Sequence, residues 1–132
     1  MNTTQTFILI DDDPVNNFIC KEFIKFTIKT PYTVLDFTDP EKGLEYIVSK
    51  SHEYSENSRT ILFLDINMPT MTGWEFLEKF SQLEENIIKK ITIFIMSSSI
   101  NPLDMQKANS CAYVSGFIVK PISEDLLLKI SA

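Results

Sequence analysis

Short apolar runs that end in polar residues recur along the chain. They fall at residues 7–10, 32–37, 60–64, 91–96 and 116–119. A run of this length with little polar alternation is typical of a strand buried on both faces of a sheet. The pattern therefore predicts five strands, most of them fully buried.

Helix signals lie between these runs. Asp13, Asp39 and Asn101 each stand directly before a proline, which places a capping side chain ahead of a proline at the first helical position. Gly73 opens a further predicted helix, and Ser123 caps a last helix that we expect to end near Ile130. In the first helix, helical spacing predicts a buried stripe, with Phe18 outside it. The stripe consists of Val15, Ile19, Phe23 and Phe26.

The alternation of strands and helices predicts an α/β fold. We expect a five-stranded parallel sheet with helices on both faces, because parallel strands need crossover connections that cover the sheet. The length of 132 residues suits one domain, residues 1–132. Residues 49–59 are polar and predict a surface loop, in which we expect His52 to have no role in catalysis or metal binding.

Composition narrows the classes of function. The chain is 44% hydrophobic, enough for a core, and its net charge of -6 without a Lys/Arg cluster argues against direct binding of nucleic acid. No apolar run approaches the roughly 18 residues that a membrane-spanning helix needs. The N-terminus has no signal-peptide pattern, and Cys20 and Cys111 are predicted to be reduced thiols, so we expect a cytoplasmic protein. Only three glycines occur, and none forms a nucleotide-cradling loop.

The candidate chemistry lies directly after the strands. The carboxyl ends of parallel strands meet at one edge of a sheet, which is where ligands bind in open α/β folds. The residues that follow the first, third, fourth and fifth strands are Asp11 to Asp13, Asp65, Ser97 to Ser99, and Lys120. The sequence therefore predicts carboxylates, hydroxyls and one ammonium at a single edge.

Electrostatics indicate what such an edge would bind. Two carboxylates about 4 Å apart repel by about 4 kcal/mol at an effective dielectric near 20, so either their pKa values rise or a cation binds. Oxygen ligands suit Mg²⁺ or Mn²⁺. A metal, Lys120 and the Ser97 hydroxyl around Asp65 would suit phosphoryl transfer, in which charge spreads over three oxygens. Asp65 would then be the nucleophile.

Four segments together resemble the response-regulator receiver family of two-component signalling, in that family's order. They are ILIDDDP, LFLDINMPTMTGWEFL, IFIMSSS and GFIVKPIS. The resemblance implies a (βα)5, flavodoxin-like receiver fold. It also implies that Asp65 accepts a phosphoryl group from a sensor histidine kinase or phosphotransfer protein, and that the domain then switches to control a downstream protein. Such a domain is not an enzyme toward other molecules, since it catalyses only its own phosphorylation and dephosphorylation.

The resemblance also implies roles for single residues. Asp12 matches a direct ligand of the Mg²⁺ (or Mn²⁺) ion, and Asp11 matches an acid that acts mainly through water. Asp65 and the backbone carbonyl of Asn67 match the remaining protein ligands.

Lys120 matches the lysine that pairs with the phosphoryl group, and the bond to Pro121 is expected to be cis. Ser97 and Phe117 match the two switch positions. Serine stands where threonine is commoner, and Phe117 lacks a tyrosine hydroxyl, so any switching there must rest on packing. The 49–59 connection is longer than usual and the last helix is short, which puts partner binding at that helix in doubt.

Two alternatives stay open at this point. The chain could be a receiver module cut from a longer regulator or hybrid kinase. A small-molecule phosphatase with an aspartyl nucleophile is a weaker alternative, because such enzymes usually carry the nucleophile after the first strand and have a capping insert. Here the candidate nucleophile follows the third strand.

Overall fold

A computed structural model describes residues 4–50 and 58–131. Its five strands form one parallel sheet in the order β2-β1-β3-β4-β5. The strands are β1 (Thr4–Ile10), β2 (Tyr32–Phe37), β3 (Ser58–Asp65), β4 (Ile91–Ser97) and β5 (Val114–Val119). The predicted α/β fold with a five-stranded parallel sheet is confirmed.

Six helices connect or follow the strands within the described ranges. They are α1 (Pro14–Thr27), α2 (Pro40–Ser49), α3 (Gly73–Phe80), α4 (Glu85–Lys90), α5 (Pro102–Ser110) and α6 (Glu124–Ser131). Asp13, Asp39 and Asn101 cap α1, α2 and α5 through their side chains, as predicted. The sequence reading missed α4, a six-residue helix whose first residue has no side-chain cap to announce it.

The two faces of the sheet bury two separate clusters. In β1, Ile8 and Ile10 face α2, α3 and α4, while Phe7 and Leu9 face α1 and α6. All four side chains are fully buried. This two-sided burial explains the continuous apolar run in the sequence, because neither face of the strand meets water.

The predicted buried stripe of α1 is wrong. Val15 and Phe26 are 63% and 74% exposed, and α1 instead buries Cys20 and Ile24. The inward face also carries Asn16, four residues before Cys20, together with Asn17. These asparagines hydrogen-bond to Asp11 and turn their face of the helix inward, so an apolar pattern alone could not locate it.

The predicted loop at residues 49–59 is too long at both ends. Helix α2 continues through Ser49, and β3 begins at Ser58. His52 lies outside the described residues. Elsewhere, Cys20 and Cys111 are free thiols, as predicted. Within the described ranges, every helix is too short or too polar to cross a membrane.

Gly73 sets how closely α3 approaches the end of β3. Its N–H donates to the carbonyl of Ile66 at 2.8 Å. A Cβ at this position would lie 2.7 Å from the carbonyl oxygen of Asp65 and 3.0 Å from Cα of Ile66. Only a residue without a side chain fits, because backbone atoms cannot rotate away.

We therefore predict that Gly73→Ala lowers the free energy of unfolding by about 1–3 kcal/mol through overpacking, measured by urea denaturation. Gly116→Ala is the matched control. Its Cβ would meet only the ring of Phe94, at 3.1 Å, which can shift. An equal loss in both variants would contradict this explanation.

Candidate functional site

A cavity of about 440 Å³ opens at the carboxyl edge of the sheet. The strand order reverses between β1 and β3, the place where ligands bind in folds of this order. The cavity wall includes Asp11, Asp12, Asp13, Asn16, Asp65, Asn67, Ser98 and Lys120. The structure therefore gathers the residues that follow β1, β3, β4 and β5.

Three acids converge in this cavity. One carboxylate oxygen from each of Asp11, Asp12 and Asp65 lies within 4.8 Å of the other two. Asp11 and Asp65 are buried, whereas Asp12 is exposed. Asp65 is the last residue of β3, and the N–H of Asp11 donates to the carbonyl of Phe37 at 3.1 Å. The sheet itself thus fixes the two buried acids.

Lys120 supplies the positive charge between these two acids. Its Nζ lies 2.7 Å from Oδ2 of Asp11 and 3.2 Å from Oδ1 of Asp65. Its own N–H donates to the carbonyl of Ser97 at 2.8 Å, which anchors the residue beside β4. The bond between Lys120 and Pro121 is cis, as the resemblance implied.

The charges in the cavity do not balance. Burial, followed by the negative charge of Asp11, raises the pKa of Asp65 from 3.8 to about 6, although Lys120 and the N–H of Asn67 oppose this shift. Burial alone would lower the pKa of Lys120, but the hydrogen bond and charge of Asp11, with the charge of Asp65, raise it above 10.5. Lys120 therefore stays charged at neutral pH, and one ammonium faces three acids.

The carboxylate of Asp11 is held on both oxygens. Oδ1 accepts from the N–H of Asp13 at 2.9 Å. Oδ2 accepts from Nδ2 of Asn16 at 2.6 Å as well as from Lys120. Nδ2 of Asn17 donates to the carbonyl of Asp11 at 3.0 Å. Sequence reasoning missed both asparagines, because a pattern of apolar residues does not show that an amide faces inward.

The remaining candidate residues lie at different depths. Asn67 is exposed at the rim of the cavity, and its N–H donates to Asp65. Ser97 is buried at the end of β4, where its Oγ accepts from the N–H of Ser99 at 3.2 Å. Ser98, not Ser97, is in the cavity wall. Phe117 is half-buried on β5 and packs against the core.

An apolar groove of about 270 Å³ adjoins the acidic cavity. Phe18, Phe23 and Phe26 of α1 line it, together with Glu22 and with Glu124 of α6. Ile19 lies in the walls of both the groove and the acidic cavity. The exposed side of α1 therefore leads directly to the site.

The family model of the response regulator receiver domain matches residues 7–132. The chain therefore belongs to this family, whose members are phosphoacceptors rather than enzymes in the usual sense and interact with histidine kinases or phosphotransfer proteins. The cluster of Asp11, Asp12 and Asp65 fits the phosphoacceptor site of a receiver domain.

Solved structures share the fold. A two component response regulator from Cytophaga hutchinsonii is 26% identical with a TM-score of 0.86, over 96% of this chain and 93% of that one. A response regulator receiver protein from Dyadobacter fermentans is 23% identical with a TM-score of 0.85, over 96% and 94%. The Mn²⁺-bound form of response regulator Rcp1 is 22% identical with a TM-score of 0.67, over 95% and 87%. Comparison with curated protein sequences gives no match.

The charge imbalance gives a prediction for stability. Because the pKa of Asp65 is higher in the folded protein than its ordinary value of 3.8, this carboxyl favours folding below about pH 4. That contribution is lost as pH rises through about 6. Without metal, Asp65→Asn should therefore raise the free energy of unfolding at pH 7.5 by about 1–2 kcal/mol. This is less than the full pKa difference corresponds to, because solvent in the cavity screens the charges. The gain should shrink at pH 4.5.

Urea denaturation in the presence of a chelator measures this difference. Asp36→Asn is the control, because Asp36 is a more exposed acid that pairs with Lys21 at 2.8 Å. This substitution should change the free energy of unfolding by less than about 0.5 kcal/mol. Destabilisation by Asp65→Asn at pH 7.5 would contradict the assignment of Asp65 as an acid under electrostatic stress.

Proposed function

We propose that this protein accepts a phosphoryl group on Asp65 from the phosphohistidine of a sensor histidine kinase or phosphotransfer protein. The reaction requires Mg²⁺, and the product switches conformation to control a protein partner. One observation carries the proposal: the ammonium of Lys120 lies between the buried carboxylates of Asp11 and Asp65, with Asp12 beside them. Three carboxylates and one ammonium leave the site two positive charges short of neutrality.

The acids suit a hard divalent ion. Asp12 and Asp65 would be direct ligands, and the carbonyl of Asn67 at the rim would be a third. Both oxygens of Asp11 already accept hydrogen bonds, so Asp11 would act through its charge and through water. When bound, Mg²⁺ or Mn²⁺ neutralises developing charge on the phosphoryl oxygens. Rcp1, which shares the fold, has been solved with Mn²⁺.

The transfer is a displacement at phosphorus. A carboxylate oxygen of Asp65 forms a bond to phosphorus while the P–N bond of phosphohistidine breaks. The electron pair of that bond leaves with the imidazole nitrogen, which takes up a proton. Lys120 is already 3.2 Å from the attacking carboxylate and can pair with a phosphoryl oxygen. Dephosphorylation is the attack of water on phosphorus, which returns the Asp65 carboxylate and inorganic phosphate.

The switch needs more than one contact. Moving an equilibrium from 1:99 to 99:1 requires about 5.5 kcal/mol, whereas one hydrogen bond to a charged group supplies about 1.5–3 kcal/mol. Ser97 is buried and Ser98 takes its place in the cavity wall, so the turn after β4 would have to move before the Ser97 hydroxyl can donate to a phosphoryl oxygen. Lys120, the packing of Phe117 and partner binding would supply the rest.

The donor would approach over α1. Phosphohistidine must reach Asp65, so the donor has to cover the surface beside the acidic cavity. The apolar groove lined by Phe18 and Phe26 adjoins that cavity at Ile19. A helix of the kinase or phosphotransfer protein with apolar side chains would fit this groove.

Residues 1–132 would form a single receiver domain in the cytoplasm, where the thiols of Cys20 and Cys111 stay reduced. The same site chemistry would serve a receiver that acts alone and one that is a module of a longer regulator. We expect a protein partner rather than direct binding to nucleic acid or a membrane, since the net charge of -6 repels anionic surfaces.

We predict that acetyl phosphate with Mg²⁺ produces one phosphoryl adduct, on Asp65. Mass spectrometry of the intact protein and of its peptides should detect an acyl phosphate that base hydrolyses. Asp65→Asn should remove the adduct, and chelation of Mg²⁺ should prevent it. Asp36→Asn should behave like the wild type, because Asp36 pairs with Lys21 outside the cavity. An adduct that persists in Asp65→Asn would overturn the proposed function.

A second prediction separates Lys120 from the metal ligands. Lys120→Ala leaves two buried carboxylates without their cation, so the affinity for Mg²⁺ measured by calorimetry should be retained or increased. The spectral change that beryllofluoride causes in the amide resonances should be strongly reduced, because no ammonium is left to follow the phosphoryl group. Lys129→Ala, a change at the end of α6, is the control. Loss of Mg²⁺ binding in Lys120→Ala would refute the role given to Lys120.

A further inference from the structure

Asn16 stands out because its amide faces the site although helix formation does not require it. Asp13 already caps α1 by accepting from the N–H of Val15 at 2.9 Å. Asn16 is only 9% exposed, and its Nδ2 donates to Oδ2 of Asp11 at 2.6 Å. This contact satisfies the amide of a buried polar side chain, as burial of a polar group requires.

Oδ2 of Asp11 accepts from two donors, Asn16 and Lys120, which would respond differently to a phosphoryl group on Asp65. Lys120 shares its ammonium between Asp11 and Asp65, so a phosphoryl group on Asp65 would draw it away from Asp11. Asp11 is completely buried, and a buried carboxylate oxygen that loses its donor is costly. Asn16 is neutral and is held in α1, so the charge of the phosphoryl group would not draw it away from Asp11.

We propose that Asn16 is a positioning residue that holds the carboxylate of Asp11 while Lys120 exchanges from Asp11 to the phosphoryl group. The proposal rests on the proposed function of Asp65. Asn16 keeps Asp11 oriented toward the metal-binding acids in both states. It thereby allows Lys120 to move without leaving Oδ2 of this buried carboxylate with no hydrogen-bond donor.

The first test observes the wild-type protein and uses a variant only to assign its resonances. The side-chain amide protons of Asn16 should be shifted by their carboxylate acceptor and protected from exchange. These features should persist after Mg²⁺ and then beryllofluoride are added. Asn16→Leu identifies the pair of resonances by its absence. A side-chain amide that takes on solvent-like shifts and exchange when beryllofluoride is added would overturn the proposal.

The second test measures metal binding. Asn16→Leu preserves the size of the side chain and removes its donor, and the dissociation constant for Mg²⁺ should rise about tenfold, as for other residues that orient the groups around a metal. Asn17→Leu is the matched control, since this buried neighbour donates to the carbonyl of Asp11 and not to its carboxylate. Its dissociation constant should change less than about threefold by the same reasoning.

The results distinguish a positioning role from a structural one. An unchanged Mg²⁺ affinity in Asn16→Leu, or an equal loss in Asn17→Leu, would overturn the role of Asn16. Phosphorylation of the wild type is measured in parallel. If the wild type forms no adduct on Asp65, the proposed function fails, whereas a wild-type adduct with an unaltered Asn16→Leu affinity removes only the inference about Asn16.

Discussion

The ion pair of Lys120 with two buried carboxylates is the interaction on which the site depends. Asp11 follows β1 and Asp65 ends β3, and the strand order reverses between these two strands. The sheet therefore brings two like charges together. A single ammonium at 2.7 and 3.2 Å reduces their repulsion but does not cancel it. The pKa of Asp65 remains raised to about 6, which means that the folded protein carries unrelieved electrostatic repulsion at this carboxyl. A divalent ion held by the three acids would relieve that repulsion.

The rest of the fold keeps this repulsion in place. Strands β1 and β3 are buried on both faces, so neither strand end can move without disturbing two packed clusters. Gly73 lets the backbone of α3 come into contact with the carbonyl of Asp65. The carbonyl of Ser97 accepts from the N–H of Lys120 and fixes its backbone. Only the long side chain can then move between the carboxylates of Asp11 and Asp65. Rigid acids and one movable cation are what a switch driven by charge requires.

The sequence predicted the sheet, five of the six described helices and the convergence of Asp11, Asp12, Asp65 and Lys120. These features follow from local rules: apolar runs, capping residues before prolines, and acids at strand ends. It failed at α1 because apolar spacing cannot show that two asparagines face inward. The short helix α4 has no side-chain cap to reveal it. The depth of Ser97 and the contact of Asn16 depend on tertiary packing, which no local pattern encodes.

The error at α1 and the chemistry of the site have one cause. Asn16 and Asn17 turn toward Asp11, so that helix face supplies hydrogen bonds to the site in place of apolar contacts. The same rotation moves Val15 and Phe26 to the surface, where Phe26 lines the apolar groove together with Phe18, which was predicted to lie outside the stripe. One pair of polar residues thus determines both how Asp11 is held and which apolar side chains a phosphoryl donor would meet. A sequence change at these asparagines would therefore alter the site and its approach surface together.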